Sequence, residues 1–519
     1  MAVGQEGAGG GRPGRRGGGR GGRTAPGFAQ PPFRQPRLPF PPVAAVSGDA
    51  LEAIHTASLR VLEEIGLDFL HEEARAILGR AGAAVESGSP RVRLDAGLVL
   101  EAIRTAPAEF ILHARNPAHD LRFGGAAIVL SPVSSAPNCS DLERGRRPGS
   151  RADFQNLVRL GQACNILHMT GGYPVEPVDL HPSIRHLDCL ADIVKLTDKS
   201  FQIYSLGRGR NLDGLEIARI GRGVDEARFE REPSILSTIN SSSPLRLDAP
   251  MLQGIIEMAR RNQPIVMTPF TLAGAMAPVT IAGALVQQNA EALAGIAFAQ
   301  MVRPGAPVVY GGFTSNVDMK SGAPAFGTPE YMKAALVGGQ LARRYRVPYR
   351  SSNANAANTV DAQAAYESVQ TMWGAFLSGA NYILHSAGWN EAGLGASFAK
   401  FVLDCEQIEM FYQLGQGPQF GDLEAALAAV REIGPGGHYL GTAHTREHFQ
   451  TAFFMPELLD NNSFEQWELD GAKDANQRGL ETARQMLANY EPPPLDPAID
   501  EQLQVFIRER EAVLPDSMA

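Results

Sequence analysis

Eight short apolar runs, each followed by a helix-like segment, recur through the middle of the chain. Each run begins roughly 30 to 43 residues after the previous one, the length of one strand, one helix and two loops. Eight such units indicate a (β/α)8 barrel, and a doubly wound open sheet is the alternative. No run is followed by G-x-G-x-x-G, which weakens the alternative. The runs occupy 126–132, 165–171, 200–206, 234–240, 264–270, 307–313, 347–352 and 382–387.

This pattern divides the chain into four parts. Residues 1–46 are a Gly/Arg-rich and then Pro-rich tail, for which we expect disorder followed by an extended arm. Residues 47–125 show helical spacing over 50–65 and strand-like segments, which predicts an α/β extension. We then expect the α/β barrel over 126–415 and a helical C-terminal cap over 416–519.

Charge and cysteine usage exclude several classes of protein. The net charge of the 519 residues is −9, and the first 47 hold seven arginines against one glutamate, so that the remainder is −15. Such an acidic body repels phosphate backbones and argues against a nucleic-acid-binding protein. Four widely separated cysteines without a C-x-x-C pair argue against a disulfide framework or a thiolate zinc site. With no membrane-length apolar run and no signal peptide, we expect a cytoplasmic protein.

The carboxyl ends of the predicted strands, where barrel enzymes carry their chemistry, hold aromatic and small polar residues. They lack lysine, H-E-x-x-H, Walker A and nucleophile-elbow motifs, so we assign no catalytic residue and no metal site. Aromatic rings attract a cation by about 0.5–2 kcal/mol each, and quaternary ammonium compounds suit such a pocket. The candidate substrate-binding residues are His385, Trp389, Phe313, Tyr173, Tyr204, Phe270 and Tyr310, and Arg350 if strand alternation points it inward to meet a substrate carboxylate.

Longer blocks resemble the trimethylamine methyltransferase superfamily. They run in fixed order from about residue 40 to the end and include HARNP (113–117), NSSSPLRLD (240–248), VVYGGFTSNVDMKSGAPAFGTPEY (308–331), DAQAAYES (361–368) and GPGGHYLGTAHT (434–445). The resemblance implies a TIM barrel that moves a methyl group from a methylated amine to the Co(I) centre of a separate corrinoid protein. It also implies that no cofactor binds to this chain, because the cobalamin belongs to the partner.

One departure from the family pattern bears on the substrate. The trimethylamine enzymes carry pyrrolysine shortly before the block similar to DAQAAYES, at a position that matches Asn358 or its neighbour. Here SSNANAANTV consists of ordinary amino acids, so the chain resembles the non-pyrrolysine branch, which demethylates quaternary amines such as glycine betaine. A quaternary ammonium already has a neutral amine as its leaving group, so positioning without covalent activation is sufficient.

Other functions stay open at this point. One is a demethylase of another methylated onium compound or of a tertiary amine, and the other is a non-catalytic quaternary-amine-binding protein. As partners we expect a small quaternary amine and a corrinoid protein, with neither nucleic acid nor membrane, and we leave a homo-oligomer open.

Overall fold

A computed structural model describes residues 30–418 and 420–514 of the chain. Residues 1–27, the Gly/Arg-rich part of the predicted tail, lie outside the described residues. At the centre is a parallel sheet of seven strands in which the first strand lies beside the last and the others follow in chain order. The strands are β1 (Val129–Leu130), β2 (Gln202–Tyr204), β3 (Leu236–Ile239), β4 (Ile265–Met267), β5 (Val308–Gly311), β6 (Tyr349–Ser352) and β7 (Tyr382–Leu384).

Eight long helices alternate with these strands. Most begin at a Ser, Thr or Asp whose side chain accepts a backbone N–H of the first turn, as Ser150, Thr280 and Asp361 do. The helices are α1 (Arg151–Ala163), α2 (Arg185–Leu196), α3 (Arg208–Arg222), α4 (Ala249–Arg260), α5 (Ile281–Val302), α6 (Pro329–Tyr345), α7 (Ala362–Leu377) and α8 (Phe398–Gln416).

Seven of the eight predicted strands are confirmed, and the second one, 165–171, is not a regular strand. The backbone N–H of His168 donates to the Leu130 carbonyl at 2.9 Å, and that of Thr170 donates to the Ser200 carbonyl at 3.0 Å. The segment therefore contacts both edge strands of the sheet. Its ladder is irregular because the Leu130 N–H donates to the imidazole Nδ1 of His168 instead of a backbone carbonyl. The fold is thus mixed α/β with a TIM-barrel-type parallel sheet.

The residues from 48 to β1 form helices and short strands. The helix expected over 50–65 is observed as Gly48–Arg60 followed by one π-helical turn, Val61–Ile65. Helices Glu72–Arg80 and Ala96–Arg104 follow. A small sheet joins the strands Leu67–Phe69, Ala84–Val85, Arg91–Arg93 and Arg246–Leu247.

A hairpin of Phe110–Leu112 and Leu121–Phe123 packs inside one end of the parallel sheet. Its buried side chains share an apolar cluster with residues near the beginnings of the central strands. The hairpin thus fills the amino-terminal end of the sheet, and the loops at the carboxyl-terminal end are left to build a site. The shared cluster contains Leu112, Leu121, Phe123, Val129, Leu236, Val266, Val309 and Tyr382.

Short strands and turns elaborate the loops at the carboxyl-terminal end. They are Asn138–Asp141, Gly145–Pro148, Phe270–Ala273, Phe313–Val317, Pro324–Ala325, Trp389–Asn390, Glu391–Gly393 and Gly395–Ser397. The helical turn Pro117–His119 instead connects the two strands of the hairpin. The remaining helices are Glu226–Arg231, Leu423–Ile433, Ala443–His448, Phe464–Leu469, Ala475–Ala488 and Pro497–Glu511, so the regular secondary structure of the described residues after 416 is helical. Among the described residues, no helix has the length and apolar character needed to cross a membrane.

Candidate active site

The register of the central strands determines which side chains face the inside of the sheet. Tyr382 packs with the interior hairpin, and its register partner Arg350 therefore also points inward, because neighbours in register share a face. Tyr310 pairs with Tyr349, the residue before Arg350. Because side chains alternate along a strand, Tyr310 and Tyr349 point to the opposite face, toward the helices. The structure thus places the predicted residue Tyr310 on the helix-facing side of β5, where its hydroxyl donates to the Asn289 side chain of α5 at 3.0 Å.

An aromatic cluster centred on Phe313 lies at the carboxyl ends of β4 to β7. The Phe313 ring centroid lies 5.3 Å from that of Phe270, 5.9 Å from that of His385 and 6.3 Å from that of Trp389. Four predicted residues thus come together. Two further rings, Phe326 at 5.2 Å and Tyr331 at 6.1 Å, were not predicted as site residues. We call Phe270, Phe313, Phe326, Tyr331, His385 and Trp389 the Phe313 cluster.

The sequence held a signal for the two missed rings, since both lie in the block 308–331 that resembles the family. Phe326 follows the short strand Pro324–Ala325, and Tyr331 lies in the first turn of α6. Neither residue directly follows a central strand, and the candidate residues are chosen from the ends of the predicted strands.

His385 directly follows β7 and takes a left-handed backbone conformation with φ of 60°. A non-glycine residue in this region stores strain, which concentrates at functional sites. Its ring stacks on Trp389 with centroids 4.8 Å apart, and its Nδ1 lies 3.2 Å from the Ser352 hydroxyl. Burial, and then the charge of Arg350, hold the pKa of His385 well below its ordinary value. The imidazole is therefore neutral at physiological pH.

Arg350 is a buried cation without an anionic partner among the residues that the structure describes. It is only 2% exposed, and the centre of its guanidinium lies 4.9 Å from the Phe313 ring centroid. Its Nη1 donates a long hydrogen bond of 3.4 Å to the Gly312 carbonyl, and its Nε has no hydrogen-bond partner. Burial lowers the pKa of Arg350, and no carboxylate of the described residues forms an ion pair with it. A buried charge in this state is costly unless a ligand supplies the counter-charge.

Tyr173 and Tyr204 form a separate group at the other edge of the sheet. Their ring centroids lie 4.9 Å apart, edge to face, and Tyr173 also contacts Phe154 of α1. The Tyr204 hydroxyl bonds to the hydroxyls of Ser134 and Ser135 at 2.7 and 2.8 Å. Burial raises the pKa of both phenols, so they stay neutral. The structure thus places these two predicted residues together but outside the Phe313 cluster.

Asn358, the residue matched to pyrrolysine, lies exposed in the loop after β6. It borders a cleft of about 510 Å³ whose walls also include Arg146, Glu391, Leu142 and Leu394. Arg146 donates to the Glu391 carboxylate at 2.7 Å across this cleft. The cleft lies among the loops that follow β1, β6 and β7, at the carboxyl-terminal end of the sheet.

A buried ion pair holds the turn that carries His385 and Trp389. The Lys400 ammonium lies 2.7 Å from the Asp404 carboxylate, and both belong to the first turns of α8. The same carboxylate accepts the backbone N–H of Gly388 at 2.8 Å. The Lys400–Asp404 pair of α8 thus stabilises the turn on which both aromatic residues lie.

The site therefore combines aromatic rings, a neutral imidazole and a guanidinium that pairs with no described carboxylate, which is an arrangement for binding and positioning. The fold and the family profile define the class: the profile of the trimethylamine methyltransferase family (MTTB) matches residues 12–515. The chain belongs to this family and is a methyltransferase for quaternary or tertiary amines.

Two methyltransferases resemble the chain over nearly its whole length. The chain is 38% identical over 472 residues to a glycine betaine methyltransferase of Desulfitobacterium hafniense (strain Y51), covering 91% of this chain and 98% of that protein. It is 32% identical to the trimethylamine methyltransferase MttB of Desulfitobacterium hafniense (strain DSM 10664 / DCB-2), covering 90% and 94%. The solved structure of a hydroxylamine MtmB complex superposes with a TM-score of 0.52 at 9% identity over 87% of this chain and 89% of that chain, a likeness of fold alone.

Proposed function

We propose that the protein transfers a methyl group from a quaternary amine bearing a carboxylate, with glycine betaine as the simplest case, to the Co(I) of a separate corrinoid protein. The observation that carries this proposal is the unpaired, buried Arg350 beside the Phe313 cluster. A carboxylate bound there neutralises the guanidinium with charge-assisted hydrogen bonds. Trimethylamine has no group that does so.

A betaine is a zwitterion, and the site offers a place for each of its charges. The carboxylate lies at Arg350, and the trimethylammonium group faces the rings of Phe270 and Trp389, whose π-faces attract a cation that cannot donate hydrogen bonds. Phe270 is only half-buried, so it borders the opening through which one methyl group points outward. Neutral His385 adds no second positive charge to this pocket.

The chemical step is a displacement at a methyl carbon. Co(I) donates an electron pair to the methyl carbon, the C–N bond breaks, and its electron pair remains on nitrogen. The products are dimethylglycine and methyl-Co(III), and no proton is transferred. This chain contributes binding, orientation and exclusion of water, tasks that aromatic rings, a neutral imidazole and a buried guanidinium can perform.

The loops around the opening support a protein partner as the methyl acceptor. Large apolar side chains are exposed in six of the loops that follow the central strands and the 166–170 segment. Val279 and Met319 lie side by side next to Gly274, and Leu142 and Leu394 line the same cleft. Exposed apolar side chains around a site mark a docking surface for another protein. This rim consists of Leu142, Val178, Leu206, Val279, Met319 and Leu394.

We also propose that the sheet closes into an eight-stranded barrel. The support is the contact of segment 166–170 with Leu130 on one side and Ser200 on the other. The site then lies at the mouth of a closed barrel, and the hairpin fills the opposite end. The cytoplasmic location stays a prediction.

A substrate panel tests the proposal. The protein is mixed with a corrinoid protein reduced to Co(I), and methyl-Co(III) is followed by its absorption with glycine betaine, a longer betaine, choline and trimethylamine. We expect the betaines to react and choline and trimethylamine to react poorly. Preference for trimethylamine, or binding of betaine without methyl transfer to any corrinoid protein tried, contradicts the proposal.

A further inference from the structure

The loops after β4 and β5 each contain a short strand, and the two strands pair in parallel. We call this pair the ring ladder, which consists of Phe270–Ala273 and Phe313–Val317. Phe270 lies opposite Phe313, and Thr271 lies opposite Thr314. Because side chains alternate along a strand, the two rings lie on one face of the ladder and the two threonines on the other.

The threonine face of the ring ladder packs against α5 and is joined to it by hydrogen bonds. The Thr314 hydroxyl donates to the side-chain carbonyl of Gln288 at 2.6 Å. Since this bond uses the only hydroxyl proton of Thr314, the Thr271 hydroxyl donates to Thr314. Each of the three side chains is no more than 2% exposed. One side chain of α5 is thus linked to both strands that carry the rings.

These polar side chains are not needed to fill the space between the ring ladder and α5. Valine has nearly the shape of threonine and would bury apolar surface there, whereas a buried hydroxyl is costly unless it is hydrogen-bonded. A buried polar network whose members are all bonded makes its surroundings rigid and selects one arrangement of them. The arrangement selected here is the position of the Phe270 strand relative to the Phe313 strand.

The same half of α5 also holds two neighbouring loops. The side-chain amide of Gln287 donates to the Met276 carbonyl, which follows the ring ladder, at 2.9 Å. The Glu291 carboxylate accepts the Ser243 hydroxyl at 2.6 Å and the Leu245 backbone N–H at 2.8 Å, both in the loop after β3. Polar side chains of α5 therefore fix the loops after β3, β4 and β5 at the carboxyl-terminal end of the sheet.

The other half of α5 contains a residue that matches Gln288 in type and burial. Gln300 is 2% exposed, and its side-chain amide donates to the Ala306 carbonyl at 2.8 Å and accepts the Gly305 backbone N–H at 2.9 Å. Ala306 precedes β5, so these bonds lie at the amino-terminal end of the sheet. Gln288 and Gln300 therefore differ mainly in which end of the sheet they support.

We propose that Gln288 is a positioning residue for the cation-binding part of the site. Through the hydroxyls of Thr314 and Thr271 it fixes the ring of Phe270. The inference rests on the proposed function, in which a trimethylammonium group faces Phe270 and Trp389. A cation is attracted by two rings at once only if both keep their distance from it. The network therefore favours a compact trimethylammonium group over a bulkier ammonium group, which has to push the rings apart.

Calorimetry without a corrinoid protein tests this inference with glycine betaine, its triethylammonium analogue and tetramethylammonium. Thr314→Val removes the shared hydroxyl and keeps the shape of the side chain. We expect the Kd of glycine betaine and that of tetramethylammonium to rise by about 3- to 10-fold each, because the network acts on the cation and not on the carboxylate. The preference for glycine betaine over the triethylammonium analogue should fall. Thr314→Ser keeps the hydroxyl and should bind all three as the wild type does.

The matched glutamines separate positioning from general stability. Gln288→Met should raise both dissociation constants as Thr314→Val does, and Gln300→Met should leave them unchanged, although thermal unfolding should show that both variants lose stability. Hydrogen–deuterium exchange of the unliganded protein follows the ring ladder itself. Exchange in 270–273 and 313–317 should become faster in Gln288→Met and stay unchanged in Gln300→Met.

Wild-type affinities in folded Thr314→Val and Gln288→Met overturn the proposal. An equal loss of affinity in Gln300→Met, or no recovery in Thr314→Ser, also overturns it, because the effect is then a general loosening of the fold. Failure of the wild type to bind either glycine betaine or tetramethylammonium contradicts the proposed function. Unchanged exchange of the ring ladder in Gln288→Met contradicts the positioning role, so that the two failures are distinguishable.

Discussion

The guanidinium of Arg350 lies 4.9 Å from the ring centroid of Phe313, inside the sheet and without a carboxylate partner among the described residues. Arg350 lies on β6 and Phe313 begins the short strand that follows β5, so that a positive charge and an aromatic cluster come into contact. This pairing suits a substrate that is both an anion and a methylated cation.

Replacement of Arg350 by Gln should selectively weaken the binding of betaines. The loss of a charge-assisted hydrogen bond to the carboxylate costs about 1.5–3 kcal/mol, or roughly 10- to 150-fold in KM for glycine betaine. The preference for betaine over choline should fall by a similar factor. Since no carboxylate of the described part of the chain pairs with Arg350, its replacement leaves none unpaired there, and the thermal midpoint should not fall. An unchanged KM would show that the substrate carboxylate lies elsewhere.

Phe270 and Tyr310 provide a matched comparison of two rings. Phe270→Leu should weaken glycine betaine binding by about 0.5–2 kcal/mol, the attraction of one ring for a cation, as measured by calorimetry without a corrinoid protein. Tyr310→Phe, on the helix-facing side of β5, should lower stability by about 1 kcal/mol through the lost bond to Asn289 and leave binding unchanged. Equal effects on binding would contradict the placement of the pocket.

The pH dependence of stability should contain a contribution from His385. Its pKa is held below the ordinary 6.5, so below about pH 6.5 the unfolded chain takes up a proton that the native state does not bind. Native stability therefore falls with decreasing pH, by at most about 1.4 kcal/mol per pH unit from this group. His385→Gln should show a shallower fall between pH 6.5 and 5 in urea unfolding. His181→Gln, at an exposed histidine, serves as the control, and identical slopes for wild type and His385→Gln would contradict the burial of a neutral imidazole.

Removal of only one charge of the Lys400–Asp404 pair should lower the stability of the protein more than removal of both charges. Asp404→Ala should cost about 3–5 kcal/mol of stability, because it leaves a buried ammonium unpaired and frees the Gly388 N–H. The double variant Lys400→Met/Asp404→Leu should recover much of this loss. Denaturant unfolding measures both, and a double variant as unstable as the single one would show that the lost charge is not the cause.

Substitutions in the rim should weaken the interaction with the corrinoid protein and leave the binding of the amine unchanged. Met319→Asp and Val279→Asp place charges on adjacent exposed positions, so we expect a higher KM for the corrinoid protein and an unchanged affinity for glycine betaine. The aspartate variant of Ile65, an exposed residue of the N-terminal extension, is the control. A rise in betaine dissociation constant without a change in corrinoid KM would place the docking surface elsewhere.

The spacing of the apolar runs predicts the central strands well, because each strand of a covered parallel sheet is a continuous apolar run. Because both faces of such a strand are apolar, the sequence does not indicate whether a given side chain faces the helices or the interior of the sheet. PVVYGGF is apolar on both faces, so the sequence cannot tell that Tyr310 faces the helices while Gly311 faces inward. Arg350 illustrates the converse, since only its register with Tyr382 shows that it points into the interior.

The remaining differences arise from interactions between segments distant in sequence. His168 replaces a backbone acceptor with its side chain, and no local pattern predicts that exchange. Phe326 and Tyr331 reach the Phe313 cluster because the loop after β5 folds back over the sheet. The substrate-binding roles predicted from the sequence stay predictions until substrate binding is measured.

The central claim is tested most directly by a single turnover with glycine betaine labelled with ¹³C in its methyl groups and a Co(I) corrinoid protein. The account predicts one dimethylglycine for each methyl-Co(III), with the label on both products, and a much slower turnover for the Arg350→Gln variant. Dimethylglycine without labelled methyl-Co(III), or no demethylation while trimethylamine reacts, would contradict it.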